Sequence, residues 1–256
     1  MHDLGSSPRN RWRVSPGAVD MIRAARPVQA VTVAATPQHV TFDLARAAIV
    51  VIDMQNDFCD PGGWLAGIGV DVAPARRPIP ALQALLPALR AADAPVLWVN
   101  WGNRPDKMNL SPSLLHVYKP DGTGAGLGDP LPHNGSRVLE QGSWGAAITS
   151  GLEALPDDLH VAKYRMSGFW DTPLDSILRN LDVRTVLFAG VNIDQCVMAT
   201  LQDANFLGYD CILVEDACAT TSPEFCTAAT LYNVRQCFGF VTQSGALAEA
   251  IQGRAP

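Results

Sequence analysis

The sequence predicts a single doubly wound α/β domain on a mainly parallel six-stranded sheet with helices on both faces. Three observations lead to it. Short apolar runs alternate with helical patterns along most of the chain, the order that parallel strands joined by crossover helices require. Several runs are almost unbroken, as in Ala47-Ala48-Ile49-Val50-Val51-Ile52, which is how strands covered on both faces read. The 256 residues suffice for one such domain with a large core, plus at most an appended arm.

Residues 1–42 carry Arg9, Arg11, Arg13, Arg23 and Arg26 and prolines 8, 16, 27 and 37. They show no core-strand pattern and read as an N-terminal arm over the domain or over a neighbouring subunit. The domain proper then spans residues 43–256. Strands are expected at 47–52, 96–101, 160–164, 185–189, 211–214 and 239–242. A helix is expected over 79–92, with Pro80 at its start and Pro87 as a kink point. Thr172-Pro173-Leu174-Asp175 reads as an N-cap, a proline at the first helical position and an acid at the third, opening a helix that runs to about residue 181. After Cys196, the residues Val197, Leu201, Ala204 and Leu207 recur at helical spacing, and Gly208 is a natural stop.

Residues 102–143 are rich in proline and glycine and show little periodicity. A segment this long inside a compact domain is usually a lid or binding loop. Its Gly122-x-Gly124-x-Gly126-x-Gly128 run has no strand before it and no helix after it, so a lid is favoured over a dinucleotide loop.

Composition narrows the functions. Apolar residues make up 48% and charged residues 17%, and the net charge is -6. That balance is globular and argues against nucleic acid or an anionic membrane as partner. No apolar run approaches the eighteen residues of a spanning helix, and the N-terminus lacks the shape of a secretory signal. A cytoplasmic location with reduced thiols is expected. The six cysteines, at 59, 196, 211, 218, 226 and 237, show no zinc-binding spacing, and most, Cys59 included, are expected to be small buried hydrophobes. Neither a metal nor a cofactor is expected.

Three places put a reactive side chain at or just past a strand end. The strand at 47–52 runs into Asp53 of Asp53-Met54-Gln55-Asn56-Asp57-Phe58. Lys163 stands near the end of Val161-Ala162-Lys163-Tyr164-Arg165, and Cys196 follows Ala189-Gly190-Val191-Asn192-Ile193-Asp194-Gln195 at a helix start. Singly, each has a plainer role: a capping acid, a solvated edge charge, a core thiol. Together they suffice for acyl transfer. A helix N-terminus and a nearby ammonium favour thiolate over thiol. A carboxylate can take the thiol proton, and free N–H groups at the helix start can hold an oxyanion.

Asp53-Met54-Gln55-x-Asp57-Phe58, the Lys163 strand and Gly190-Val191-x-x-x-x-Cys196-Val197 resemble the isochorismatase-like cysteine hydrolases over residues 43–252. The resemblance implies an Asp–Lys–Cys triad at Asp53, Lys163 and Cys196. It also implies a cis peptide between Val191 and Asn192, with the Asn192 and Cys196 N–H groups as an oxyanion hole. Family members without the nucleophilic cysteine hydrolyse isochorismate, so Cys196 points to C–N bonds. Nicotinamidases carry an Asp-x-His metal site where this chain reads Asn100-Trp101-Gly102-Asn103, without histidine.

The run from Tyr164 to Leu178, with Gly142-Ser143-Trp144, is most similar to ureidoacrylate amidohydrolases. Asp57-Phe58-Cys59, Arg104-Pro105-Asp106 and the run from Gly124 to Pro130 are similar to biuret hydrolases. The chain differs from the ureidoacrylate pattern at Asn192, Asp194 and Gln195. The resemblance thus implies a small-molecule amide or ureido substrate, ureidoacrylate-like first, and a homo-oligomer. Biuret, N-carbamoyl amino acids, isochorismate, or metabolite binding without catalysis are the alternatives. Trp101, Arg104 and Trp170 are the candidate substrate contacts, with His116, Tyr118 and Lys119 as further pocket candidates.

Overall fold

A computed structural model describes residues 1–253. In chain order its strands are β1 (His2–Ser7), β2 (Asn10–Ser15), β3 (Ala18–Asp20), β4 (Ala30–Val33), β5 (Ala35–Thr36), β6 (Val40–Asp43), β7 (Ala47–Ile52), β8 (Val96–Trp101), β9 (Leu159–Lys163), β10 (Thr185–Val191), β11 (Asp210–Ala219) and β12 (Phe240–Thr242). The helices are α1 (Asn56–Cys59), α2 (Trp64–Gly67), α3 (Pro78–Ala91), α4 (Pro112–Tyr118), α5 (Leu174–Asn180), α6 (Met198–Phe206), α7 (Glu224–Asn233) and α8 (Ser244–Gln252).

The central sheet runs β5-β12-β11-β10-β7-β8-β9. The chain moves outward from β7 through β8 to β9, returns to the other side of β7 as β10, and then moves outward again. The six strands from β7 to β12 are mutually parallel. The order therefore reverses between β7 and β10, and the crevice beyond the C-terminal ends of those strands is where such sheets bind ligands. Side chains of β7 alternate between two cores. Ile49 and Val51 meet α3 and α8 on one face, while Ala48, Val50 and Ile52 meet α5 and α6 on the other.

The sheet has seven strands rather than the six expected. Ala35 and Thr36 pair antiparallel with Thr242 and Val241 at the edge, and a two-residue strand is too short to leave a period in the sequence. The first residues also contribute more core than expected. β4 pairs with β6, and Val31, Val33 and Phe42 are buried against the α3/α8 face. The more distal β1–β3 meander lies over the domain, where the Arg9 guanidinium donates to Ala45 O at 3.0 Å and pairs with Asp93 at 3.2 Å.

Helix starts are shifted in instructive ways. Helix α3 continues through Pro87. Thr172 accepts from Leu174 N at 3.2 Å, so helix α5 begins at Leu174, with Pro173 just outside. The 102–143 segment contains one helix that periodicity did not reveal. Ser111 caps α4 by accepting from Leu114 N at 3.3 Å, with Pro112 at the first helical position. Asp216 ties down the start of α8, accepting from Ser244 N at 2.7 Å. No helix of the described residues is long and apolar enough to cross a membrane.

Candidate active site

Strand register builds the site. Gly190 is opposite Ile52, so the loop after β10 leaves the sheet beside the residue that follows β7, which is Asp53. Gly190 has φ +114, and a Cβ there would stand 2.0 Å from Ile52 O. Only glycine permits this approach of the two strands. Trp101 at the end of β8 pairs with Lys163 at the end of β9, and Trp101 N donates to Asp53 Oδ1 at 3.2 Å. Asp53 itself has φ +51, a left-handed conformation uncommon for a non-glycine residue and often found at functional sites.

These placements bring the three candidate residues together in the crevice. Lys163 Nζ lies 3.0 Å from Asp53 Oδ2 and donates to Cys196 Sγ at 3.3 Å. Its remaining neighbours are Arg165 O at 3.0 Å and the face of Trp101, 4.1 Å from Nζ. The relative exposures of Lys163, Asp53 and Cys196 are 0%, 1% and 3%. Burial of two charges is tolerable here because they neutralise each other and Nζ is surrounded by acceptors and an aromatic face.

Cys196 sits in a π-helical turn, Ile193–Val197, ahead of helix α6. Val197 N closes the turn on Asn192 O at 3.2 Å. The Val191–Asn192 peptide is cis, and among the described residues the Asn192 N–H has no hydrogen-bond acceptor.

The electrostatics correct one expectation. The helix start and the ammonium were expected to favour thiolate over thiol, with Asp53 taking the thiol proton. Instead, burial pushes the Cys196 thiol up to about 12; Lys163 pulls it down, while the Asp53 charge and hydrogen bond push it up again. Burial therefore favours the thiol form of the sulfur. Burial also raises the Asp53 carboxyl, against the opposing pull of Lys163 and of hydrogen bonds from Cys196, Lys163 and Trp101 N. A carboxylate of raised pKa is a better acceptor for the thiol proton.

A cavity of about 10 Å3 adjoins the sulfur, lined by Asp53, Phe58, Tyr118, Val191, Asn192, Gln195 and Cys196. Val191 and Asn192 thus stand where the sequence placed them. Trp101 does not line the cavity; its ring supports Lys163 instead. Arg104 is not brought to the site either. It is exposed and pairs with Asp106 at 2.6 Å. Trp170 is 64% exposed and lines a separate surface groove with Phe169, Asp175 and Phe206. Both follow strand ends in sequence, but the chain turns outward before reaching them. Of the other pocket candidates, only Tyr118 lines the cavity.

Phe58 and Gln195 were not among the sequence candidates for substrate contact. Phe58 was visible only as part of the Asp53–Phe58 motif, and Gln195 only as a departure from the ureidoacrylate pattern. Cys59 is buried, and burial raises its thiol to about 12, so it is a core residue. Among the described residues, no group of three or more His, Cys, Asp or Glu is arranged to hold a metal ion.

A doubly wound α/β domain with a buried thiol, ammonium and carboxylate at its switch point has the anatomy of a cysteine hydrolase. The family model for the isochorismatase domain matches residues 47–246, and this chain belongs to the isochorismatase family of hydrolases. The fold is shared with a cysteine hydrolase from Pseudomonas syringae pv. phaseolicola 1448A, at 24% identity and TM-score 0.69, over 90% of this chain and 99% of that one. An isochorismatase family protein from Desulfovibrio vulgaris subsp. vulgaris str. Hildenborough is similar at 29% identity and TM-score 0.66, over 81% of this chain and 98% of its own. The N-carbamoylsarcosine amidase from Thermoplasma acidophilum is similar at 25% identity and TM-score 0.59, over 78% of this chain and 96% of its own.

Proposed function

We propose that the protein is a cysteine amidohydrolase that cleaves a C–N bond of a small ureido, carbamoyl or amide substrate through a thioester, with a ureidoacrylate-like compound preferred. The observation that carries this reading is the buried contact of Lys163 Nζ with both Cys196 Sγ and Asp53 Oδ2, at 3.3 and 3.0 Å.

In this mechanism Asp53 takes the Cys196 proton as sulfur attacks the substrate carbonyl. Lys163 holds the negative charge as it moves from carboxylate to sulfur to oxyanion. The Asn192 and Cys196 N–H groups receive the oxyanion. Protonated Asp53 gives its proton to the departing nitrogen, and the C–N bond breaks to leave a thioester and an amine or ammonia. Water, deprotonated by Asp53, then attacks the thioester, and the sulfur leaves with that proton. A ureido substrate cleaved on its substituted side yields an amine and carbamate, which breaks down to ammonia and carbon dioxide. The nucleophile is activated by Asp53, so the scheme calls for no metal.

A second reading, hydrolysis of N-carbamoyl amino acids, is supported by the similarity to the Thermoplasma acidophilum N-carbamoylsarcosine amidase. Biuret is a third substrate to compare, on the similarity around Asp57-Phe58-Cys59. The test is an ammonia-release screen over ureidoacrylate, biuret, N-carbamoyl amino acids and simple amides, with isochorismate assayed in parallel. Ammonia release that disappears in Cys196→Ala is expected. Turnover of isochorismate alone, no turnover of any amide or ureido compound, or near-normal amidase rates in Cys196→Ala would each overturn the proposal.

A further inference from the structure

The cavity beside Cys196 is small. Its roughly 10 Å3 is about the space of one water molecule, too little for a carbamoyl group and its substituent. Most of its walls cannot retreat. Asp53, Val191, Asn192 and Cys196 are fixed at the ends of β7 and β10, the centre of the sheet. Phe58 belongs to α1, whose Asn56 and Asp57 N–H groups are bonded to Ala147 O and Gly145 O at 3.0 and 2.9 Å. Tyr118 differs, because it ends α4, a seven-residue helix within the irregular 102–143 segment.

Tyr118 is held at the cavity by an aromatic cluster rather than by a strand. Its ring lies 5.0 Å from Trp64 and 5.5 Å from Trp101. Trp64 is fixed in turn, since its Nε1 donates to Ala125 O at 2.8 Å and its backbone N donates to Asp57 Oδ1 at 3.0 Å. The Tyr118 side chain is 6% exposed, yet among the described residues its hydroxyl has no hydrogen-bond partner. With no partner inside the protein, that hydroxyl is free to bond a group that enters the cavity it lines. Burial and the nearby Cys196 and Asp53 charges hold this phenol well above its ordinary pKa, so it stays a donor. Asn192 presents the complementary group, a buried Oδ1 that also has no partner.

We infer that Tyr118 is the roof of the active site and a substrate-positioning residue: it is displaced to admit substrate, then returns so that its hydroxyl hydrogen-bonds the substrate's carbamoyl or amide group. A phenol donor and an amide acceptor on one small cavity suit a planar group that carries both C=O and N–H. This inference rests on the amidohydrolase reading for the identity of that group, but the roof itself does not depend on it.

The experiment compares wild type, Tyr118→Phe and Tyr118→Ala by steady-state kinetics on the best substrate of the screen. It also follows alkylation of Cys196 by iodoacetamide, read by mass spectrometry of the Cys196 peptide. Tyr118→Phe keeps the ring, so its alkylation rate and Tm are expected to match wild type, while kcat/KM falls about fivefold or more through loss of one hydrogen bond, mostly in KM. Tyr118→Ala is expected to accelerate Cys196 alkylation about tenfold by opening the cavity. Tyr118→Phe with kcat/KM within twofold of wild type overturns the hydroxyl's role. Unchanged alkylation in Tyr118→Ala overturns the roof. If wild type turns over none of the screened compounds, the amidohydrolase reading fails, and the alkylation rates still decide whether Tyr118 closes the site.

Discussion

Lys163 Nζ stands 3.0 Å from Asp53 Oδ2, with the amine wholly buried and the carboxylate almost so. Neither partner has water to fall back on. Removing one charge leaves the other uncompensated, which costs about 3–5 kcal/mol. Lys163→Met is therefore expected to lower stability by about that amount and to abolish turnover. The double variant Asp53→Asn/Lys163→Met should recover most of the stability and none of the activity. Urea unfolding beside an ammonia-release assay separates the two effects. A double variant no more stable than Lys163→Met would show that the pair is not the source of the loss.

Cys196 is expected to be indispensable in a way that leaves folding intact. Cys196→Ser keeps the volume, and its ammonia release should fall by about a thousandfold or more, with Tm little changed. Rapid quenching of wild type with a slow substrate should show the acyl mass on the Cys196 peptide. An acyl adduct on Cys59 instead would reassign the nucleophile.

The buried thiols make the fold sensitive to alkali. The Cys59, Cys196 and Cys211 thiols are each raised from 9.0 to about 12, burial being the largest cause. Below pH 9 both folded and unfolded chains hold these protons, and the thiols add no pH dependence. Between pH 9 and about 12 the unfolded chain releases them while the folded chain retains them. Unfolding then becomes easier as pH rises. Each thiol contributes a slope of about 1.4 kcal/mol per pH unit at most in that window. Stability from urea melts should be flat in this respect up to pH 8 and fall above 9. Cys59→Ala should shallow the decline, and an unchanged slope would contradict the assigned cause.

Gly190 is expected to tolerate no side chain. A Cβ would press on Ile52 O while the backbone stays at φ +114, so Gly190→Ala should cost about 2–3 kcal/mol. It should also move Cys196 away from Asp53 and slow turnover sharply. Full activity in Gly190→Ala would mean that the two strands need not approach so closely.

Trp170 and Arg104 are expected to be dispensable for catalysis. Both are exposed and turned away from the Cys196 cavity. Trp170→Ala and Arg104→Ala should keep kcat/KM within about twofold of wild type, as for surface substitutions with little energetic effect. A tenfold loss in either would restore it as a substrate contact.

What could be read from the sequence followed how local each cause was. The strands β7, β8 and β10 are long apolar runs, and Asp53, Lys163 and Cys196 stand at or beside strand ends, so pattern alone placed them. β5 is two residues paired with a strand more than 200 positions later, as Thr242↔Ala35 shows, and it leaves no local trace. Exposure of Trp170 and Arg104 was equally hidden, because neighbours in sequence fix no direction once a strand has ended. Tyr118 was visible only as one of several aromatic candidates. What sets it in place is its tilted and edge-on ring contact with Trp64 and Trp101, a contact among three separate segments.

Asp57 is the hinge-pin of that arrangement. One of its oxygens receives Trp64 N at 3.0 Å and the other Leu139 N at 2.7 Å, so the residue four places after Asp53 secures both segments that hold the aromatic roof. The reacting groups, by contrast, hang from the sheet. The site thus combines a part for bond breaking with a part for admission, and Asp57 is one of the ties between them. Exchanging the chain between residues 104 and 137, with Asp57 and its two tethers retained, offers a route to new substrate choice on unaltered chemistry.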